Sequence, residues 1–467
     1  MTTKNAIAAF ALLIGIGGVA FYFAKPPVAP FSCHGCNVIV IGVDTLRADH
    51  VGAAGYARDT TPAIDALAKK GYFFTNAIAA SSWTVPSFMA AFTGRHPGET
   101  GVVNKFTVFT KDEQKLTNLA ELSPETKTMT EAFKAAGYAT GGFTGDAGVS
   151  GKFGYAQGFD IYTDETTFGG LENSQKHALA WLDSLEDQKF FMFFHGYDLH
   201  GQFALPADYE SRYAPEGYAG PYRGTAKEEE KLREDQLAGP LAHTPEDAAF
   251  WTAWYDGKIR DADERLQGFL DALSARGLLE NTVIVLVSDH GEEFFEHGGF
   301  DHGLTLYDEL IHVPLIVVVP GTVGGKTIPA QVSTIDLAPT LFDIVGLEDA
   351  AMKEQLASRR SLVPYLMNPA LKGYDVYSET DYRDFTHKRS LRTADGWKFI
   401  MTLETDAEEL YNLRADPGEK NNLVKENPVK ASVLREMLRN HMRNELGDDP
   451  DAPVSEGCLP VYTGECI

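Results

Sequence analysis

Cysteine is scarce in this chain of 467 residues. There are only four, Cys33 and Cys36 near one end and Cys458 and Cys466 at the other. The framework is therefore not disulfide-dense, and the fold must rest on a buried core. Positive charge is also short: 41 basic residues face 66 acidic ones, leaving −25 and a sequence pI near 4.9. Such a surface repels nucleic acid and anionic lipid, which argues against a polyanion partner. It still allows an anionic small substrate, because a metal-bearing cleft reverses the local potential. No internal repeat is visible, so the chain is not an array.

Long uncharged runs are absent except for one, Ala6 to Ala24, flanked by Lys4 and Lys25. As a helix it would be roughly 28 Å long at ~1.5 Å per residue, close to a bilayer core of ~30 Å. Phe21-Tyr22-Phe23 is bulky where signal cleavage wants small residues, and no lipobox leucine precedes Cys33. The expectation is an uncleaved inner-membrane anchor with the remaining chain in the periplasm or outside; the alternative is secretion after cleavage. Lys25-Pro26-Pro27-Val28-Ala29-Pro30 reads as a stiff stand-off. An exported compartment permits disulfides, and Cys33-His34-Gly35-Cys36 is read as part of one, with metal or redox use as the alternative. Pairing within each end or between the ends stays open.

The organisation follows from apolar patterning. Four short runs, residues 37–43, 189–194, 282–288 and 313–319, are continuously apolar, as parallel strands covered on both faces are. Helical patterns lie between them, one opened by Thr61-Pro62 and closed by Gly71, another running from Asp263 to Arg276. The expected fold class is α/β, a mostly parallel central sheet with helices on both faces. Residues 1–36 form the anchor and linker, 37–370 the catalytic domain, 371–450 a small C-terminal α+β subdomain with a terminal helix from Pro428, and 451–467 a tail. Between Gly201 and Tyr255 the pattern lapses into Pro, Gly, Tyr and charge, read as a loop over a substrate cleft. Glu228-Glu229-Glu230-Lys231 within it reads as a solvated helix or loop.

Three of the four runs end in groups that bind metals: Asp44; His195 through Asp198 to His200; and Asp289-His290-Gly291-Glu292, with His297 and His302 beyond. Parallel sheets gather their ligands past the carboxyl ends of their strands. Mixed carboxylate and imidazole donors suit Zn²⁺ and its neighbours, with Ca²⁺ or Mn²⁺ as alternatives. Ser81-Ser82-Trp83-Thr84-Val85-Pro86-Ser87 places Thr84 at a helix N-terminus, where free N–H groups favour an anion. A threonine hydroxyl becomes nucleophilic when deprotonated, and a bound dication lowers its pKa.

These motifs resemble the sulfatase branch of the alkaline phosphatase superfamily. Asp44-Thr45-Leu46-Arg47-Ala48-Asp49 is similar to that family's first metal motif, and Pro86-Ser87 with Thr93-Gly94-Arg95 to its nucleophile segment. Ser288-Asp289-His290-Gly291-Glu292, Glu296-His297-Gly298 and Leu306-Tyr307-Asp308-Glu309 resemble its second metal region. Leu410-Tyr411-Asn412-Leu413 and Asp416-Pro417-Gly418-Glu419 resemble its C-terminal signature. The chain departs from sulfatases proper at four places. Thr84 stands where the formylglycine precursor, Cys or Ser, belongs, and Phe88 where an arginine belongs. Asp44-Thr45 has one carboxylate fewer, and His302 replaces a lysine. The resemblance implies a site in which Asp44, Thr84, Asp289 and His290 hold one metal, and His302 with Asp198 or His200 holds a second. Thr84, His200 and Arg47 are the expected catalytic residues, and the expected partner is an anionic small-molecule ester. The expected activity is hydrolysis of phosphate mono- or diesters through Thr84. The alternatives are a sulfuric ester hydrolase and a phosphoethanolamine- or glycerophosphate-type transferase.

Overall fold

The structure is a computed structural model that describes residues 31–105, 120–164, 168–201, 205, 209, 212–215, 217–384 and 386–452. The Ala6 to Ala24 run, Cys458 and Cys466 lie outside the described residues. Among the described residues no helix is long and apolar enough to cross a membrane. Cys33 and Cys36 are joined in a disulfide, so at this end the pairing is local.

The strands are β1 (Asn37–Val43), β2 (Tyr72–Ile78), β3 (Ala139–Phe143), β4 (Ile161–Thr163), β5 (Phe190–Gly196), β6 (Thr282–Val287), β7 (Glu293–Phe294), β8 (Phe300–Asp301), β9 (His312–Val318), β10 (Lys326–Ile328) and β11 (Val332–Ser333). Four more, β12 (Val376–Thr380), β13 (Lys388–Arg392), β14 (Trp397–Thr402) and β15 (Ala407–Asn412), follow in the subdomain. The main sheet runs β10-β2-β9-β6-β1-β5-β3-β4, with β11 also on β2. Strand β1 is central and parallel to both neighbours. Its alternation explains its continuous apolar sequence: Val38 and Val40 enter the core on one face, while Ile39, Ile41 and Val43 enter the other. The first face is covered by the helices Thr84–Thr93 and Leu337–Val345. The second is covered by Pro62–Lys70, Leu171–Ser184 and Pro245–Ala275.

One expected parallel strand is reversed. β9 pairs antiparallel with both β6 and β2. A parallel neighbour needs a crossover over the sheet face. The chain leaving β6 instead forms the β7–β8 hairpin and a single helical turn, Asp308–Ile311, and re-enters the sheet from the same edge. The Gly201 to Tyr255 stretch is also more regular than expected. It holds the helix Ala226–Asp235 and the opening turns of Pro245–Ala275, each started by a threonine capping box. Glu229, read as solvated, is buried and pairs with Lys258 at 3.1 Å. The subdomain is the expected antiparallel sheet, β12-β13-β14-β15, packed on the helix Pro428–His441 through Phe399, Leu410, Leu434 and Leu438.

Candidate active site

The adjacent strands β6, β1 and β5 end side by side and bring Asp289-His290, Asp44 and His195 together. The ends are tied to each other. Thr45 turns through a left-handed backbone, φ 55°, and its N–H donates to Asp289 Oδ1 at 3.3 Å. Leu46 N donates to Ser288 Oγ (2.9 Å), which itself donates to the His290 carbonyl (2.7 Å). Thr84 arrives on the first residue of its helix, and Ser87 Oγ of the same turn donates to the Asp289 carbonyl at 2.6 Å. Tyr155 OH donates to the Val85 carbonyl at 2.7 Å, fixing the helix start.

The Thr84 hydroxyl has two acceptors, Asp44 Oδ2 and His290 Nε2, both at 3.2 Å. His290 Nδ1–H donates to the Gly291 carbonyl (2.8 Å), which leaves Nε2 with its lone pair facing Thr84. Burial, and then the charge of His302, hold His290 well below the usual histidine value, so it is neutral. Burial pushes the Asp44 carboxyl well up, reinforced by Asp289; burial also lifts Asp289 to about 7 against its backbone hydrogen bonds.

Asp44, Asp289 and His290 offer ligand atoms within 4.8 Å of one another, all buried. Asp44 Oδ1 and Asp289 Oδ2 find no donor among the described residues. Two adjacent buried carboxylates with orphaned oxygens are costly unless a cation joins them. The donor set therefore fits a divalent metal.

A second buried group lies beside it. His302 Nδ1 stands 3.0 Å from Glu292 Oε1 and 2.7 Å from Asp301 Oδ1. Burial works against charge on His302, yet Glu292 and its hydrogen bond raise it above its ordinary value. Its ring lies 4.3 Å from that of His290 and 5.1 Å from that of His200. The Nδ1 of His200 has no partner among the described residues, and burial lowers its pKa.

Two expected site residues are occupied elsewhere. Asp198 Oδ2 accepts from Leu171 N (2.7 Å) at the start of the helix Leu171–Ser184, and Oδ1 faces Arg265 at 3.5 Å. Its carboxylate caps a helix and is not in the metal-binding groups. Arg47 donates to both Asp49 oxygens, to the Glu292 carbonyl and to Glu296 (2.6 Å), so it braces the loops behind the site. His297 is similarly engaged, with Glu309 and the Glu419 carbonyl.

His195, named in the strand-end segment but given no role from sequence, also stands at the site. His195 is fully buried, with Nε2 3.7 Å from Asp44 Oδ2 and neither ring nitrogen bonded among the described residues. Its signal was present, as the last but one residue of a strand paired with β1. Tyr382 lies in no motif, and its edge-on approach to Trp83 at 5.1 Å is set by tertiary packing alone.

Comparison with known proteins agrees with this arrangement. Residues 36–347 match the sulfatase family, and residues 295–446 match the family described as N-sulphoglucosamine sulphohydrolase, C-terminal. A Delta 4,5-hexuronate-2-O-sulfatase from Bacteroides thetaiotaomicron is 25% identical over 86% of each chain. An ulvan-active sulfatase from Formosa agariphila is 27% identical, over 88% of this chain and 82% of its own. The phosphonate monoester hydrolase of Agrobacterium radiobacter has the same fold, with a TM-score of 0.67 at 20% identity over 88% of this chain and 96% of its own. With residues 36–347 matched to that family, the chain belongs to the sulfatase family of the alkaline phosphatase superfamily and is a hydrolase.

Proposed function

We propose that this hydrolase cleaves a phosphoric ester or phosphonate, with Thr84 Oγ1 as nucleophile. The observation that carries the reading is the position of that oxygen, buried at a helix N-terminus and 3.2 Å from both Asp44 Oδ2 and His290 Nε2. Asp44, Asp289 and His290, with Thr84 itself, would hold the metal; their mixed oxygen and nitrogen donors favour a zinc-type ion over calcium. When bound, such an ion lowers the pKa of a hydroxyl and stabilises charge on a transferring group.

The chain's own groups account for the rest. Thr84 Oγ1 forms a bond to phosphorus as the bond to the leaving alcohol breaks, and the threonine proton passes to the acceptor it already faces. The N–H groups of Thr84 and Val85 at the helix start favour the non-bridging oxygens. His302, held between Glu292 and Asp301 and raised above its ordinary value, supplies the proton of the leaving oxygen, with the neutral His200 beside it. Water then releases phosphate from threonine in a second displacement. Hydrolysis of a sulfuric ester is the second reading, and the names of the curated relatives favour it. Exposure to the cell exterior, on the Ala6 to Ala24 anchor, belongs to the same proposal and is supported by the Cys33–Cys36 disulfide.

The test is a matched assay on 4-nitrophenyl phosphate, bis(4-nitrophenyl) phosphate and 4-nitrophenyl sulfate, each with Zn²⁺, Mn²⁺ and Ca²⁺. Thr84→Ala is run alongside. Phosphate ester cleavage that disappears in the variant is the expected result. Sulfate cleavage alone, or turnover that survives Thr84→Ala, overturns it.

A further inference from the structure

Lys258 and Lys398 are the two buried lysines among the described residues. Lys398 answers two carboxylates, Asp308 and Glu419. Lys258 answers one, Glu229 at 3.1 Å, and turns to main-chain carbonyls with the rest of its ammonium. Nζ donates to the carbonyls of His200 (3.2 Å) and Gly201 (3.4 Å). An ammonium has three donors and no acceptor, so all three are placed. Lys258 reaches these carbonyls from the helix Pro245–Ala275, and Glu229 meets it from the helix Ala226–Asp235.

The backbone held in this way carries a ring of the active site. His200 N donates to the Tyr197 carbonyl at 3.1 Å, and the His200 ring lies 5.1 Å from His302 and 5.0 Å from Phe168. Its Nδ1 has no partner among the described residues, so backbone and packing set where the ring stands. The Glu229 carboxylate is pressed against the same stretch of chain. A Cβ on Gly201 would stand 2.5 Å from Glu229 Oε2. Glu229 and Trp251 line a small cavity of about 20 Å³ together with Glu292, the partner of His302. Glu229 Oε2 and Trp251 Nε1 are both without a partner among the described residues, and the cavity has room for one water molecule. The supports of His200 and of His302 therefore meet in one buried polar layer. A buried ion pair adds little net stability, because desolvation offsets much of the attraction. What this one supplies is geometry, since it fixes two successive carbonyls at the residue that bears the ring.

We propose that Lys258, held by Glu229, is a positioning residue for the leaving-group side of the site. It holds the backbone at His200 so that the His200 ring stays against His302. As the ester bond breaks, its electron pair remains on the leaving oxygen, and the proton of His302 joins it there. With His200 displaced, His302 loses the neighbour that packs against its ring, and the proton is delivered from a poorer position. The loss is greatest for a leaving oxygen that is strongly basic. The inference rests on the ester-hydrolase reading above and adds to it how the proton donor is kept in place.

The test uses the full chain on phenyl and 4-nitrophenyl esters, each made as a phosphate and as a sulfate, with the ion that supports turnover. Phenoxide is much the stronger base and needs the proton more. Lys258→Met combined with Glu229→Met removes the ion pair without leaving a buried charge unpaired. In that double variant the ratio of kcat for the 4-nitrophenyl ester to kcat for the phenyl ester should rise about tenfold or more. In Glu229→Gln, whose amide oxygen still accepts from Lys258, the natural ratio should be kept. A double variant that lowers both esters equally, as a merely structural pair would, overturns the proposal, and so does one that lowers neither. Lys258→Gln is judged by the same ratio should the double variant fail to fold. If the natural chain turns over no ester, the hydrolase reading fails by itself. The positioning is then decided by the His200 ring signal in nuclear magnetic resonance, assigned with His200→Gln. A His200 signal that moves in the double variant more than that of His290 supports it, and an unmoved one overturns it.

Discussion

Lys105 shows how a single side chain takes its chemistry from its neighbours. Burial, then the nearby Arg383 and Arg233, bring its ammonium down to about 8 from the usual lysine range. The sign follows directly: below that pH Lys105 is charged, and above it the positive charge is lost. The kcat/KM for an anionic ester should therefore hold at pH 7 and decline between about pH 7.5 and 9, and in Lys105→Gln that decline should be absent. A pH profile that Lys105→Gln leaves unchanged would show that the charge of Lys105 does not act on the substrate. At this scale the sequence was legible where function coincides with a strand end. Asp44, Asp289 and His290 lie together because strand-end position is a backbone property. Asp198 sits at an equally suggestive position, yet its carboxylate caps a helix, because Leu171 N happens to lie beside it. Nothing local distinguishes the two cases.

Among elements, the segment Asp146-Ala147-Gly148 has the closest bearing on Thr84. Asp146 and Ala147 both have positive φ, 60° and 51°, and Gly148 N donates to Tyr197 OH at 2.7 Å. A Cβ on Gly148 would stand 2.7 Å from the Cβ of Thr84. The glycine is thus required by close approach of backbone to nucleophile. In Gly148→Ala the neighbour that must give way is the Thr84 side chain itself or a backbone already strained. Displacing a reacting atom by a few tenths of an ångström and more lowers turnover steeply, so kcat should fall roughly 10- to 100-fold. The circular dichroism spectrum should be unchanged. Full activity in this variant would mean that the loop yields freely and does not position Thr84. Element type was largely legible from apolar runs and caps, while direction was not. β9 reads like the parallel strands because it too is covered on both faces. Its reversal depends on the absence of a crossover, which periodicity does not report. The helix Ala226–Asp235 stays open between helix and loop in the sequence for the opposite reason, since only Glu229 and Leu232 of its ten residues are buried and no apolar stripe marks it.

Across the whole molecule, the balance of buried charge ties the domains to the site. Lys398 of the subdomain is fully buried and meets Asp308 at 3.0 Å and Glu419 at 2.9 Å, so that the loop after β8 is held by a compensated network. Asp44 and Asp289 have no such protein cation within their own group, and this difference makes a prediction about stability. Without metal, the two carboxylates repel and one must hold a proton; with metal, both become assets. Chelation should lower the midpoint of thermal unfolding, and readdition of Zn²⁺ or Mn²⁺ should restore it. The gain would be about 2.7 kcal/mol at a free ion concentration of roughly a hundred times Kd. Asp289→Asn separates this from a general effect of the chelator. In the chelated state the variant removes a buried charge and should be more stable than the natural chain by about 1 kcal/mol, the lower end for relieving an unpaired buried group. In the presence of metal the order should reverse, because the variant has lost a ligand. Equal stability in both states, or a variant weaker in both, would mean that Asp289 is held by the fold alone and that its burial beside Asp44 serves no cation.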